Sequence, residues 1–137
     1  MTLSIEDKLE LHELAGRYGD IIDDRDWSSL VTIFTEDAVF EVVNLVTMRG
    51  LAEIRRYMIE EGRHPLAHLI TNIHVVDCRD GIEMFSRGIF PIHSSGSVVG
   101  HRVFYGSYYD KVTATPAGWR ISHRIFSTKR QTEFVPC

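Results

Sequence analysis

The amino-acid sequence predicts an α+β fold, with helices in the first half of the chain and antiparallel strands in the second. Up to about residue 62, apolar residues recur mainly at spacings of three and four, the period of a helix that faces a core. From about residue 66 the period changes to two, which is typical of strands, and turn-forming residues separate four such runs. Helices early and consecutive strands late indicate an α+β architecture. A strongly curved sheet wrapped around the helices would leave a pocket between the two layers.

The first predicted helix begins at a capping box and runs to about Ile22. Ser4 carries the capping hydroxyl, and Asp7 supplies the acid three residues later. Because Tyr18 belongs to the apolar stripe of this helix, we expect its ring to point inward. The stripe consists of Leu11, Leu14, Tyr18, Ile21 and Ile22.

Two shorter helices and one strand are expected before the sheet. Asp26 is a suitable cap for a short second helix that begins at Trp27. Residues 37–43 alternate as a strand. A third helix is expected between Gly50, which opens it, and Gly62, which ends it.

The four later strands are predicted at about residues 66–77, 81–92, 99–113 and 118–129. Asp80-Gly81 predicts a tight hairpin between the first two of them. If alternation is strict in the strand predicted at residues 66–77, its two faces differ. One apolar face is formed by Leu69, Thr71, Ile73 and Val75, and the opposite face by His68, Ile70, Asn72 and His74.

Three of the seven histidines, His64, His68 and His74, fall within eleven residues around the start of this strand. Their face could simply be solvated, as in a half-exposed sheet, or it could line an enclosed pocket, and the pattern leaves both interpretations open. On an extended strand His64 and His68 would lie ~13 Å apart, too far for one zinc ion. Since no third ligand accompanies them, no metal site is expected.

An acidic cluster ends the first helix, and Asp23 is its most informative member. Asp24 and Asp26 are typical of solvated charges or caps. Asp23 follows Ile21-Ile22 directly, so its carboxylate is expected to be partly desolvated, as in acids that orient a histidine. We therefore hypothesise that Asp23 pairs with His68 in a pocket, with His68 as the base.

The last predicted strand carries two further candidate site residues, His123 and Arg124. Alternation over residues 119–125 places His123 with the apolar residues and Arg124 with Arg120 and Ser122. His123 would then be either a core histidine or a pocket residue, and the pattern does not decide between them.

Composition limits the classes of function. The 137 residues are expected to form one domain, 1–137, and the net charge of −4 with no basic run longer than two residues argues against nucleic-acid and anionic-membrane partners. The two cysteines, Cys78 and Cys137, lack metal-type spacing, and the chain starts without signal-peptide features, so a reduced cytoplasmic location is expected. No glycine-rich phosphate loop or nucleophile elbow supports nucleotide use or serine hydrolysis.

Several motifs, taken in order, resemble the SnoaL-like group of the nuclear-transport-factor-2-like superfamily over nearly the whole chain. They are Tyr18-x4-Asp23-x2-Asp26-Trp27, Phe34-Thr35-Glu36-Asp37-Ala38, residues 50–54, His64-x3-His68-x3-Asn72, Tyr109-Asp110 and residues 118–124.

This resemblance implies a cone-shaped barrel, in which a strongly curved antiparallel sheet packs on three N-terminal helices around a deep pocket. The pattern is most similar to cofactor-free lyases of the scytalone dehydratase, hexachlorocyclohexane dehydrochlorinase and bile-acid 7α-dehydratase type. It implies a catalytic His68–Asp23 dyad assisted by Tyr18. Candidate substrate-binding residues are Asn72, Tyr105, His123 and Arg124.

The expected function is a lyase or isomerase, dehydratase-like, that needs no cofactor or metal and acts on a hydrophobic cyclic small molecule. The alternatives are a non-catalytic binding or accessory subunit and a polyketide cyclase, since the superfamily contains these as well. A homo-oligomer, dimer or trimer, is also implied by the resemblance.

Overall fold

The computed structural model describes residues 2–93 and 101–128 of the chain. Two α-helices, one 3-10 helix and the strands follow each other in the predicted order, with one additional short strand. The elements are α1 (Ile5–Asp23), the 3-10 helix (Trp27–Thr32), β1 (Phe34–Val42), β2 (Val46–Arg49), α2 (Leu51–Glu60), β3 (Leu69–Cys78), β4 (Gly81–His93), β5 (His101–Thr115) and β6 (Gly118–Ser127).

Within the described residues, six strands form one sheet in the order β2-β1-β6-β5-β4-β3. β3 to β6 are consecutive antiparallel neighbours, which confirms that part of the prediction. β1 is parallel to β6, so the sheet is mixed and its one parallel pair adds to the antiparallel pairing that was expected. The sheet is strongly curved without closing on itself, and the α+β class is confirmed.

The capping box fixes the start of α1 and ties it to the sheet. Ser4 Oγ accepts the backbone N–H of Asp7 at 3.0 Å, and the Asp7 carboxylate accepts the backbone N–H of Ser4 at 3.0 Å. The second oxygen of Asp7 accepts the indole N–H of Trp119 on β6 at 3.0 Å. The predicted stripe of α1, from Leu11 to Ile22, is buried against the concave face of the sheet.

The second helix is only six residues long and adopts 3-10 geometry. Asp26 lies at its N-cap, as predicted, but its side chain makes no hydrogen bond to the backbone there. Its carboxylate accepts the hydroxyl groups of Ser28 at 3.1 Å and Ser29 at 2.6 Å instead. Asp26 therefore stabilises the turn through side chains.

A β-bulge in β3 overturns the strict alternation predicted there. Thr71 pairs with Arg87 and His74 pairs with Phe85, so two residues of β3 lie opposite one residue of β4. Asn72, in this bulge, has φ of +52°. The apolar side chains that pack against the core are Ile70 before the bulge and Ile73 and Val75 after it, whereas Leu69 is 53% exposed.

A second irregularity changes the faces of β6. Ile121 pairs with Val112, but His123 pairs with Lys111, so Ser122 is an extra residue. Arg124 is consequently buried while His123 is only half-buried. The prediction that Arg124 shares a face with Arg120 was wrong, because one inserted residue reverses every side chain that follows.

The hairpin predicted at Asp80-Gly81 is present. Cys78 pairs with Gly81, so residues 79–80 form the turn and Gly81 begins β4. Within the described residues, no helix combines the length and the apolar character that a membrane crossing requires. Cys137 lies outside the described residues.

Candidate active site

A cavity of about 570 Å³ lies inside the curve of the sheet and is bordered by α1 and α2. Its walls are mostly aromatic and apolar, which suits a small hydrophobic molecule, and its volume falls in the range of ordinary ligand sites. The aromatic lining residues are Tyr18, Phe40, Tyr57, Phe90, Tyr108 and Phe126, joined by Phe104. His64 and His68 are the histidines in this lining.

Asp23 and His68 contact each other through two hydrogen bonds. Asp23 Oδ1 lies 2.6 Å from Nδ1 of the His68 ring, and Asp23 Oδ2 accepts the backbone N–H of His68 at 2.9 Å. The side chains are 6% exposed for His68 and 20% for Asp23. Asp23 is the last residue of α1, and His68 directly precedes β3. The arrangement fixes both the position of the ring and the tautomer in which Nδ1 carries the proton.

Burial lowers the pKa of His68 below its ordinary value of 6.5, and the hydrogen bond and charge of Asp23 oppose this effect. The imidazole is therefore neutral near pH 7. Nε2 has no hydrogen-bond partner among the described residues, and His68 lines the cavity. A neutral imidazole with this nitrogen available can accept a proton from a molecule in the cavity.

Gly19 permits the close approach of α1 to His68. A Cβ atom at Gly19 would lie 2.8 Å from Cβ of His68 and 3.1 Å from its carbonyl oxygen. Our sequence analysis missed this residue. The available signal was a glycine on the inner side of α1, four residues before Asp23, since a glycine within a helix costs about 1 kcal/mol relative to alanine and calls for a packing reason.

Arg124 is fully buried next to Tyr18 and Tyr108. Its Nε and Nη2 donate to the two carboxylate oxygens of Asp110 at 2.7 and 2.9 Å. The guanidinium carbon lies 4.3 Å from the centre of the Tyr18 ring and 4.1 Å from that of Tyr108. Arg124 is not among the described residues that line the cavity, whereas both tyrosines are. It therefore lies behind the two tyrosines with respect to a bound molecule.

Burial raises the pKa of Tyr18, and the positive charge of Arg124 acts in the opposite direction. Burial also raises the pKa of Tyr108 well above its usual value. Burial disfavours the charge of Arg124, but the carboxylate of Asp110 more than compensates and the pKa of Arg124 is raised. At neutral pH both tyrosines are therefore protonated hydrogen-bond donors and Arg124 is a cation.

The other predicted substrate-binding residues lie elsewhere. Asn72 and Tyr105 border a separate groove of about 300 Å³ together with Arg87, and Tyr105 is 64% exposed. His123 does not line the cavity either, because the irregularity in β6 turns the neighbouring Arg124 inward instead. The placement of Asn72, Tyr105 and His123 thus does not support the expectation that they contact a molecule in the cavity.

His64, by contrast, does line the cavity, although our sequence analysis assigned it no role. Its Nε2 lies 2.8 Å from the carbonyl oxygen of Met58, and its ring lies 5.4 Å from that of Trp27. Over residues 2–93 and 101–128, no group of three or more potential metal ligands comes together.

This chain matches a known protein family and several related proteins. A model of the SnoaL-like domain matches residues 3–125. Uncharacterised proteins of Mycobacterium bovis and Mycobacterium tuberculosis are 32% identical over 127 residues, covering 88% of this chain and 84% of each relative.

Solved structures share the fold. A nuclear-transport-factor-2-like protein with a cystatin-like fold from Novosphingobium aromaticivorans is 28% identical, with a TM-score of 0.71 over 90% of this chain and 82% of that one. A candidate scytalone dehydratase from the same organism is 15% identical, with a TM-score of 0.77 over 97% of this chain and 91% of that one, a likeness of fold alone. The match over residues 3–125 shows that this chain belongs to the SnoaL-like domain family of the nuclear-transport-factor-2-like superfamily.

Proposed function

We propose that this protein is a cofactor-free lyase or isomerase that removes a proton from a hydrophobic cyclic small molecule. The observation that supports the proposal most is the buried contact between Asp23 and His68 at the wall of an aromatic cavity. The SnoaL-like family contains dehydratases, isomerases and cyclases, so chemistry of this kind agrees with the family.

In the proposed reaction, His68 is the general base. Its Nδ1–H donates to Asp23, which leaves Nε2 to take a proton from a carbon atom of the substrate. Asp23 stabilises the imidazolium that forms and prevents the ring from rotating. Tyr18 donates a hydrogen bond to the oxygen on which negative charge develops. His68 then returns the proton, either to a second carbon in an isomerisation or to a departing hydroxide in an elimination.

Positioning of the substrate in the cavity supplies the rest of the rate acceleration. A positioned acid or base contributes ~10²–10⁴-fold, and holding the reacting atoms in place can contribute more. The cavity is lined by rigid aromatic rings, such as those of Phe90 and Phe126, which contact each other at a centroid distance of 5.5 Å. A planar or cyclic hydrophobic substrate suits these walls.

The main alternative is a non-catalytic binding or accessory subunit. That role requires no partner for the ring of His68 and no proton acceptor in the cavity. The two hydrogen bonds that Asp23 accepts from His68, together with the neutral imidazole, support the enzyme over this alternative.

The proposal can be tested before the natural substrate is known. Cyclic ketones are incubated with the protein in D₂O, and exchange of the acidic C–H hydrogens is followed by NMR. We expect exchange that depends on the protein and falls at least ~100-fold in His68→Gln and Asp23→Asn. His74→Gln is the matched control, since His74 is exposed on the outer face of β3. Exchange that is equal in wild type, His68→Gln and Asp23→Asn would contradict the proposal.

A further inference from the structure

His64 is the second histidine of the cavity, and the proposed reaction gives it no role. It lies four residues before His68, in the segment between α2 and β3. Its Nε2 lies 2.8 Å from the carbonyl oxygen of Met58. Because a carbonyl oxygen only accepts hydrogen bonds, Nε2 carries the proton, and in the neutral ring Nδ1 is then an acceptor.

The contact with Met58 explains only one of the two ring nitrogens. Met58 belongs to the last turn of α2, where carbonyl groups have no partner within the helix. His64 therefore caps the end of α2, as histidine side chains often do. Nδ1 has no hydrogen-bond partner among residues 2–93 and 101–128, and it is not buried. Capping thus leaves one polar atom of the ring open to a bound molecule.

The His64 ring is held in place before any molecule binds. Trp27 packs against it at a centroid distance of 5.4 Å, and Trp27 is not among the described residues that line the cavity. On another side, a Cβ atom at Gly62 would lie 2.6 Å from Cε1 and 2.8 Å from Nε2 of the ring. The ring can occupy this position because residue 62 is a glycine. An acceptor that is already fixed loses little freedom when it binds a ligand.

The two cavity histidines have opposite tautomers. His68 donates Nδ1–H to Asp23 and keeps Nε2 free, whereas His64 donates Nε2–H to Met58 and keeps Nδ1 free. The carboxylate of Asp23 stabilises the imidazolium that forms when His68 takes a proton. The carbonyl group of Met58 is uncharged and gives less stabilisation of this kind. His64 is therefore better suited to accept a hydrogen bond than to take a proton.

An unprotonated ring nitrogen in an apolar cavity selects for a hydrogen-bond donor. A molecule without a donor would displace water from Nδ1 and leave this atom unpaired, which costs free energy. A molecule with a donor at the right position replaces the lost hydrogen bond to water. On a hydrophobic cyclic skeleton the usual uncharged donor is a hydroxyl group.

We propose that Nδ1 of His64 accepts a hydrogen bond from a hydroxyl group of the substrate, and that the substrates are therefore hydroxylated cyclic molecules. This inference rests on the proposed function, because it takes the same cavity as the substrate site. It does not require that His68 act as the base. His64 holds and selects the substrate, and it takes no part in the proton transfer.

Two compounds with the same ring system test this selection without turnover. 2-Naphthol carries a hydroxyl donor, and 2-methoxynaphthalene keeps the oxygen but lacks the donor. Fluorescence titration at about pH 8, where an ordinary imidazole is neutral, gives the two Kd values. We expect the preference for naphthol to be about 3–10-fold greater in wild type than in His64→Leu, the value of one hydrogen bond between neutral groups. His74→Leu is the matched control and should behave as wild type, since His74 is exposed.

Gly62→Ala tests the same contact with His64 still present. The new Cβ would overlap the end of the His64 side chain, so the ring must leave the carbonyl oxygen of Met58. We expect this variant to lose the preference for naphthol as His64→Leu does. Gly16→Ala is its control, since a Cβ there meets no atom within 4 Å. Gly62→Ala also replaces His64→Leu as the test if the leucine variant does not fold.

NMR of protein labelled with nitrogen-15 histidine identifies the atom that binds the hydroxyl group. Two-bond proton–nitrogen spectra distinguish protonated from unprotonated ring nitrogens, and the spectra of His64→Leu and His68→Gln assign the two rings. We expect the Nε2–H tautomer for His64 and the Nδ1–H tautomer for His68. 2-Naphthol should shift the Nδ1 resonance of His64 much more than 2-methoxynaphthalene does.

Three results would overturn the inference: a protonated Nδ1 in wild type at this pH, a preference for naphthol that His64→Leu leaves unchanged, and no binding of either compound. His68→Gln separates the inference from the proposed function. This variant should lose C–H exchange and keep the preference for naphthol. Binding through His64 without C–H exchange in wild type would count against the base alone, and exchange without a preference that depends on His64 would count against the hydroxyl contact alone.

Discussion

Asp23 holds His68 at two points, with one carboxylate oxygen 2.6 Å from the ring nitrogen Nδ1 and the other 2.9 Å from the backbone nitrogen. The contact joins the end of α1 to the segment before β3, 45 residues later in the chain. A carboxylate is the side chain that can accept both protons at once, since each of its oxygens is an acceptor. The position of the ring and its tautomer are thus set by the same residue.

Asp23→Asn should reduce turnover strongly while the fold persists. The amide offers only one acceptor oxygen, so either the ring or the backbone loses its partner, and the ring can adopt the wrong tautomer. We expect kcat to fall by ~10²–10⁴-fold. Asp24→Asn is the control, because Asp24 is the exposed neighbour of Asp23. Equal activity in both variants would contradict the assigned role.

The pH dependence of activity should follow the neutral form of His68. Burial lowers the pKa of this histidine below 6.5, with Asp23 opposing, so the base form persists below the pH at which an ordinary histidine becomes protonated. The rate of C–H exchange should therefore be flat near neutral pH and fall only as the pH drops through the lowered pKa. A midpoint above pH 6.5 in the rate profile would be incompatible with this picture.

The same histidine affects stability with a defined sign. Because the pKa of His68 is lower in the folded state than in the unfolded chain, the unfolded chain binds more protons between these two values. The free energy of unfolding should rise with pH across this window and lose its dependence on His68 above the unfolded value near 6.5. Urea denaturation of wild type and His68→Gln at several pH values isolates the contribution of His68 to the pH dependence of the free energy of unfolding.

Gly19→Ala should damage both stability and activity, although alanine favours helices. The added Cβ would lie 2.8 Å from Cβ of His68, so α1 or His68 must move. Overpacking of this kind costs about 1–3 kcal/mol of unfolding free energy, which exceeds the gain in helix propensity. Gly16→Ala is a matched control in the same helix, since its Cβ would meet no atom within 4 Å, and it should stabilise the protein by about 0.5–1 kcal/mol.

Asp110→Asn should destabilise the protein more than most substitutions do. It leaves the positive charge of the fully buried Arg124 without its counter-charge. Breaking a buried ion pair from one side costs about 3–5 kcal/mol. The double variant Asp110→Leu/Arg124→Met, which removes both charges, should recover part of this loss in urea denaturation. A double variant less stable than Asp110→Asn would argue against the electrostatic explanation.

Asn72→Gly should retain activity and keep or raise stability. Asn72 has φ of +52° in the bulge of β3, and glycine adopts this conformation without strain. Asn72→Val should lower the free energy of unfolding by about 1–3 kcal/mol, because a β-branched residue is strained there. Asn72 borders the separate groove that Tyr105 and Arg87 also line, not the cavity with His68, so C–H exchange should be unaffected by the glycine variant. Loss of exchange in a folded Asn72→Gly variant would indicate that Asn72 contacts the substrate, as the sequence analysis expected.

The periodic patterns of the sequence determined the elements and most of the core. The capping box at Ser4, the apolar stripe of α1 and the hairpin at residues 79–80 all depend on neighbours within a few positions, so local rules suffice for them. The inward direction of Tyr18 follows from the same helical period. The sequence also indicated Asp23 and His68 as partners, through the apolar residues before Asp23 and the resemblance to a family.

Only the tertiary structure decided which side chains of the sheet face the cavity. A strand has a period of two, so one extra residue reverses every side chain after it. One extra residue near Asn72 does this in β3, and Ser122 does it in β6. The irregularity in β6 turns Arg124 into the core and leaves His123 half-buried. Tyr108 lies beside Tyr18 because α1 packs against the concave face of the sheet, which brings together residues that are distant in the chain. No local pattern contains that information, since a bulge is stabilised by the packing of the whole sheet.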